Sequence, residues 1–146
     1  MTELQLGTLE QLEAAVDSLS NEQLSEAIAR QEGGVDQALD QVFDGMRRAF
    51  DPARAAGQSA VVQYELATPD GQRSYVMRFA DGRCQVERGS DPSPRVTLRI
   101  GMADFLRLVA GRLDGMQAFM SGKLKVGGDL FFAQTYQAWF DRRAAS

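Results

Sequence analysis

The sequence predicts an α+β protein in which helices cover one face of a β-sheet. Two observations carry this expectation. Apolar residues recur every three or four positions up to Phe50 and every second position from Ala60, the periods of amphipathic helices and of half-buried strands. Each candidate strand is also apolar on one side only, so the sheet needs a single covering layer. The chain has 146 residues, 44% apolar and 25% charged, close to globular averages and of a size suited to about one domain.

The elements follow in chain order. Thr8 with Gln11 and Ser20 with Gln23 fit capping boxes, in which side chain and backbone satisfy each other's donors at a helix start. Leu9, Leu12, Val16 and Leu19 form one stripe, and Leu24 and Ile28 a thinner one, up to Gly33-Gly34. Residues 1–34 are therefore expected to be an acidic helical extension, and residues 35–146 the main domain. A second helix carries Val35, Leu39, Val42, Phe43, Met46 and Phe50 on one face and stops at Asp51-Pro52, since proline disfavours helical backbone in the residue before it. Val62, Tyr64 and Leu66, then Tyr75, Met77 and Phe79, then Cys84 and Val86, then Val96, Leu98 and Ile100 define four strands. Pro69-Asp70-Gly71 and Asp81-Gly82 supply turns, the second being a strong hairpin signal. Met102 to Ala110 reads as a helix with Phe105, Leu106 and Val109 inward. A further start at Asp114 gives Met116, Phe119 and Met120 as an apolar face. Leu124 and Val126 alternate with Lys123 and Lys125 as a fifth strand. A last helix from Asp129 to about Arg143 places Phe132, Ala133, Tyr136, Trp139 and Phe140 on one stripe and Phe131 on the far side.

Composition narrows the chemistry. The chain has no histidine and one cysteine, Cys84, so no Ser-His or Cys-His pair, internal disulfide or cysteine-rich zinc site forms within it. Cys84 reads as a small core residue, and no metal ligand set, cofactor motif or paired carboxylates stand out. Net charge is −4 but uneven: residues 1–44 carry ten acids and one base, residues 45–146 ten acids and fifteen bases. An acidic arm of this kind either lies against a mildly basic body or stays solvated, and it disfavours nucleic acid. No apolar run approaches the roughly 18 residues of a membrane span. Met1 to Gly7 lack a secretory pattern, so a cytoplasmic protein is expected. Ser121-Gly122-Lys123 fails the phosphate-loop spacing. Gly127-Gly128-Asp129 suits a capped helix start better than an anion site. Lys123 and Lys125 suit either a solvated strand edge or a lipid headgroup.

The run Phe119-Met120-Ser121-Gly122-Lys123-Leu124-Lys125-Val126-Gly127-Gly128-Asp129-Leu130, preceded by Phe105-Leu106 and Leu108-Val109 with Gly111-Arg112-Leu113, resembles the sterol carrier protein 2 family. The resemblance covers roughly Val35–Phe140. It implies a five-stranded, mostly antiparallel twisted sheet with helices on one face and an apolar tunnel between the layers. It further implies a non-catalytic carrier for a fatty acid, fatty acyl-CoA, sterol-like molecule or phospholipid. On that reading Phe105, Val109, Met116, Phe119, Met120, Phe131, Phe132, Tyr136, Trp139 and Phe140 are the candidate ligand-binding residues. The bulky Phe131-Phe132 pair stands where the family often has a small residue, and residues 1–34 have no counterpart in the minimal domain. The same stripes equally suit a filled core. The chain would then be an interaction module whose N-terminal helices dock a partner enzyme or a second copy.

Overall fold

A computed structural model of the protein describes residues 6 and 8–140. Helices α1 (Leu9–Ser18) and α2 (Asn21–Arg30) start at Thr8 and Ser20, and both capping boxes close with Gln11 and Gln23 as expected. The third helix, α3 (Gly34–Ala49), buries Val35, Leu39, Val42 and Phe43. Proline stops α3 and starts another helix: Pro52 opens α4 (Pro52–Ala55), capped by the Asp51 carboxylate on the Ala53 amide. This turn was not expected. A proline is tolerated at a first helical position because its missing N–H would be unpaired there anyway.

Five strands follow: β1 (Ala60–Thr68), β2 (Gly71–Ala80), β3 (Arg83–Arg88), β4 (Val96–Gly101) and, after two helices, β5 (Leu124–Gly128). They form one sheet in the order β3-β2-β1-β4-β5. All neighbours are antiparallel except β1 and β4, which pair in parallel with Tyr64 opposite Leu98. Asp81 and Gly82 take positive φ values of 54° and 72° in the β2–β3 turn, the conformation a two-residue hairpin requires. The inner face is as the alternation predicts: Val62, Tyr64, Leu66, Tyr75, Met77, Phe79, Val96, Leu98 and Ile100 are all buried.

The outer face is not wholly solvated. Val76 and Gln63 sit opposite each other on β2 and β1, and both are buried. The parallel β1–β4 pairing forces the β3–β4 connection to cross the sheet. Residues of that crossover satisfy the Gln63 amide: its Nε2 donates to the Gly89 carbonyl at 3.1 Å, and its Oε1 accepts from the Asp91 amide at 2.9 Å.

Helices α5 (Met102–Val109), α6 (Gly115–Met120) and α7 (Leu130–Tyr136) complete the inner layer. Two expectations need correction. Helix α6 buries Gly115 and Ala118, while Met116, Phe119 and Met120 are exposed; six residues give one usable face, and the small ones take it. The last helix ends at Tyr136, not near Arg143. A 3₁₀ turn (Gln137–Trp139) follows, and Phe140 pairs with Phe50 in an isolated β-bridge. Positions 141–143 of the expected helix lie outside the described residues.

At the centre, the Phe43 ring stacks on Tyr75 and Phe105 at 4.2 and 5.1 Å and meets Tyr64 edge-on at 5.2 Å. It thereby ties α3 to β1, β2 and α5. The acidic arm lies against the body. Arg107 on α5 donates to the carbonyls of Val16 and Leu19 at 2.6 Å each and to the Asn21 side chain. Arg112 pairs with Asp17 at 2.9 Å and Glu13 at 3.3 Å. Leu12, Val16, Leu24 and Ile28 are consequently buried within the chain itself.

Candidate functional site

Between the inner face of the sheet and the helices lies a partly open cavity of about 730 Å³. It exists because the elements beside it are short and small-faced. With only Gly115 and Ala118 buried under α6, the layer above β4 and β5 does not fill. The floor is Tyr64, Leu98, Leu124 and Val126 from β1, β4 and β5. Val42, Met46 and Ala49 of α3 and Phe105, Leu108 and Val109 of α5 form two walls. Met116 and Phe119 of α6 and Leu130, Ala133 and Tyr136 of α7 form the others, with Phe140 beyond them. Leu6, Thr8, Leu9 and Leu12 of the N-terminal arm close the remaining side.

Of the ten candidate ligand-binding residues, the structure brings Phe105, Val109, Met116, Phe119, Tyr136 and Phe140 together around this cavity. Phe132 and Trp139 do not line it. They pack with Phe79, Tyr136 and one another at ring-centroid distances of 5.2–5.9 Å, in a closed aromatic cluster beside it. Arg95 also covers the Phe132 ring at 4.0 Å. Met120 and Phe131 are outside the lining and 78% and 79% exposed. The sequence reading missed the arm residues, the α3 wall and the strand floor. Their stripes were visible, but periodicity does not separate a side chain packed on protein from one facing a cavity.

The wall is chemically quiet. The Tyr64 and Tyr136 hydroxyls are 2.8 Å apart, and Tyr136 Oη lies 3.3 Å from Met77 Sδ. Burial holds both phenols above their ordinary range, so they stay neutral at physiological pH. The charged lining residues are Arg112 and Asp114. Asp114 caps α6 by accepting from the Gln117 amide at 3.0 Å. The hydrogen bond from Arg112 holds the Asp17 carboxyl below its ordinary value. Asp129 caps α7 through the Phe132 amide at 2.9 Å. Lys123 and Lys125 border a separate depression of about 290 Å³ with Glu65 and Arg99, and neither lines the cavity. Among the described residues no group of three or more His, Cys, Asp or Glu is placed to hold a metal, and no helix is long and apolar enough to cross a membrane. The Cys84 thiol is half-buried, and burial pushes it up to about 12. This geometry suits non-covalent binding of an apolar molecule.

A family model described as the SCP-2 sterol transfer family matches residues 39–141. Human Stomatin-like protein 1 is 33% identical over 101 residues, 65% of this chain and 25% of its own length. Mouse Hydroxysteroid dehydrogenase-like protein 2 is 32% identical over 98 residues, 66% of this chain and 20% of its own. The chain thus spans a quarter or less of the length of these relatives. Among solved structures, apo Sterol Carrier Protein 2 from Yarrowia lipolytica superposes with a TM-score of 0.58 at 23% identity, over 76% of this chain and 94% of that one. The inverting sec-alkylsulfatase Pisa1 from Pseudomonas sp. gives 0.65 at 16% identity, over 97% of this chain and 32% of that one. At these identities the likeness is one of fold. The second superposition extends it to the N-terminal helices that precede the family match.

Proposed function

The chain belongs to the SCP-2 sterol transfer family, and on that premise we propose that it is a non-catalytic carrier holding one apolar ligand between sheet and helices. The observation that supports this most is the cavity of about 730 Å³ with its apolar walls, within the range of known small-molecule sites. A sixteen-carbon chain withdrawn from water gains roughly 12 kcal/mol at about 0.8 kcal/mol per methylene. Subtracting an association cost of at least about 4 kcal/mol leaves at most roughly 8 kcal/mol, a Kd of micromolar or weaker. Six of the residues proposed above as ligand contacts border this space; the arm, α3 and strand residues join them.

The alternative, an interaction module with a filled core, has less support. Leu12, Val16, Leu24 and Ile28 of α1 and α2 are covered by the chain's own body and Leu9 and Leu19 are half-buried, which leaves little apolar surface there for a partner.

Titration with the methyl ester of a conjugated polyene fatty acid tests the carrier reading. Its chromophore accepts energy from Trp139, the single tryptophan. Saturable one-to-one quenching with a micromolar Kd is expected. Ala133→Phe places a ring in the cavity and should weaken binding at least about tenfold while circular dichroism is unchanged. Quenching that never saturates, or that is equal in the variant, overturns the carrier reading.

A further inference from the structure

The cavity mouth carries six polar side chains, and half of them are already engaged. Thr8 accepts from the Gln11 amide at 3.1 Å, and Asp114 accepts from the Gln117 amide at 3.0 Å. Arg112 is the only cation among the described residues that line the cavity. The N-terminal arm occupies it: both oxygens of Asp17 accept from it at 2.9 and 3.0 Å, and Glu13 pairs with it at 3.3 Å. Among the described residues, an anionic group arriving here therefore meets one cation and three carboxylates, those of Glu13, Asp17 and Asp114. Like charges at that spacing disfavour the ionised form of a newcomer, and the nearest donor fork is already taken.

Three groups remain. Gln117, Gln134 and Gln137 line the cavity, and their side-chain amides have no hydrogen-bond partner among the described residues. Each offers two N–H donors and a carbonyl acceptor without net charge. Gln137 lies close to the backbone of Gly115. A Cβ on Gly115 would stand 2.5 Å from its Nε2, so the glycine is what lets this amide lie against the start of α6.

We propose that the arm acts as a charge filter: by neutralising Arg112 it leaves a mouth of three glutamine amides, which selects apolar ligands whose polar end is uncharged, an alcohol, ester or amide, over carboxylates of the same length. The inference rests on the carrier reading and adds the class of polar end. It also gives two of the acids of residues 1–44, Glu13 and Asp17, a function at the site.

The test is competition of dodecanol and of dodecanoate, at pH 8, against the bound polyene methyl ester. In the wild type dodecanol should displace the probe about tenfold more effectively than dodecanoate. Glu13→Gln/Asp17→Asn frees Arg112, and the ratio should fall to about threefold or less. Adding Arg112→Gln to that pair should restore it. The triple variant separates a freed guanidinium from an arm that has merely loosened, since a loosened arm would not be repaired by it. Equal displacement by both compounds in the wild type overturns the filter, as does a ratio unmoved in the double variant or unrestored in the triple. Failure of the probe ester itself to bind overturns the carrier reading, and the filter with it.

Discussion

The buried tyrosine pair in the cavity wall offers the sharpest test of how that wall is built. Tyr64 and Tyr136 hydroxyls lie 2.8 Å apart, and the structure leaves no buried side-chain polar atom unpaired among the described residues. Tyr136→Phe removes the only hydrogen-bond partner that the Tyr64 hydroxyl has among the described residues. A buried hydroxyl without a partner costs about 1–3 kcal/mol. Tyr64→Phe leaves the Tyr136 hydroxyl with Met77 Sδ at 3.3 Å, a weak acceptor, so its cost falls near the lower end, about 1 kcal/mol. The double variant removes both hydroxyls and leaves nothing unpaired, which is close to neutral. The double-mutant cycle should therefore show a coupling of about 2–4 kcal/mol in magnitude, the sum of the two single costs. In thermal terms each kcal/mol corresponds to roughly 2–4 °C for a domain of this size class. Urea unfolding followed through Trp139 fluorescence measures all four proteins, with unchanged m values as the check that unfolding stays comparable. If Tyr136→Phe costs only a few tenths of a kcal/mol and the coupling vanishes, water in the cavity solvates these hydroxyls and the wall is not sealed there.

The faces of α7 give a second contrast. Phe131→Asp should change stability by no more than about 0.5 kcal/mol, whereas Phe132→Ala, which opens the aromatic cluster, should cost about 3–5 kcal/mol; denaturant midpoints in the reverse order would mean that α7 is rotated by about one residue. Arg107→Ala strips the donors from the Val16 and Leu19 carbonyls and should cost about 2 kcal/mol; amide exchange should quicken in α1 while β1 and β2 stay protected, and an unchanged α1 would refute the clamp. Burial raises the Cys84 thiol from 9.0 to about 12, so folding favours its neutral form; that stability is fully present below pH 9 and is lost as pH rises from 9 toward 12. The urea midpoint should therefore fall less steeply over that window in Cys84→Ala than in the wild type, and identical slopes would show that the thiol is not desolvated.

What sequence could tell here was local. Thr8 with Gln11, Ser20 with Gln23 and Asp81-Gly82 each specify a backbone conformation through hydrogen bonding or positive φ within a few residues, and each is found. The alternation of Val62, Tyr64 and Leu66 likewise names the buried face of β1. Long-range consequences were not legible. That β1 pairs in parallel with β4, and hence that the crossover buries Val76 and Gln63 on the outer face, depends on which strands meet. At the site, Phe132 and Trp139 share a stripe with Tyr136, yet only Tyr136 faces the cavity. One helical stripe about 100° wide spans both a packed cluster and a void, and which neighbour each side chain meets is set by elements far along the chain. The arm's part in the cavity rests on Arg107 and Arg112, charges 86 to 99 positions from their partners, a pairing no local pattern announces.

Native mass spectrometry of the delipidated chain, reloaded with a twofold excess of a sixteen-carbon alcohol, tests the internal site most directly. A single internal site gives one adduct per chain that survives gentle activation, and Ala133→Phe loses it. Several weak adducts that grow with alcohol concentration, equal in wild type and variant, would contradict an internal carrier site and leave the alcohol on the surface.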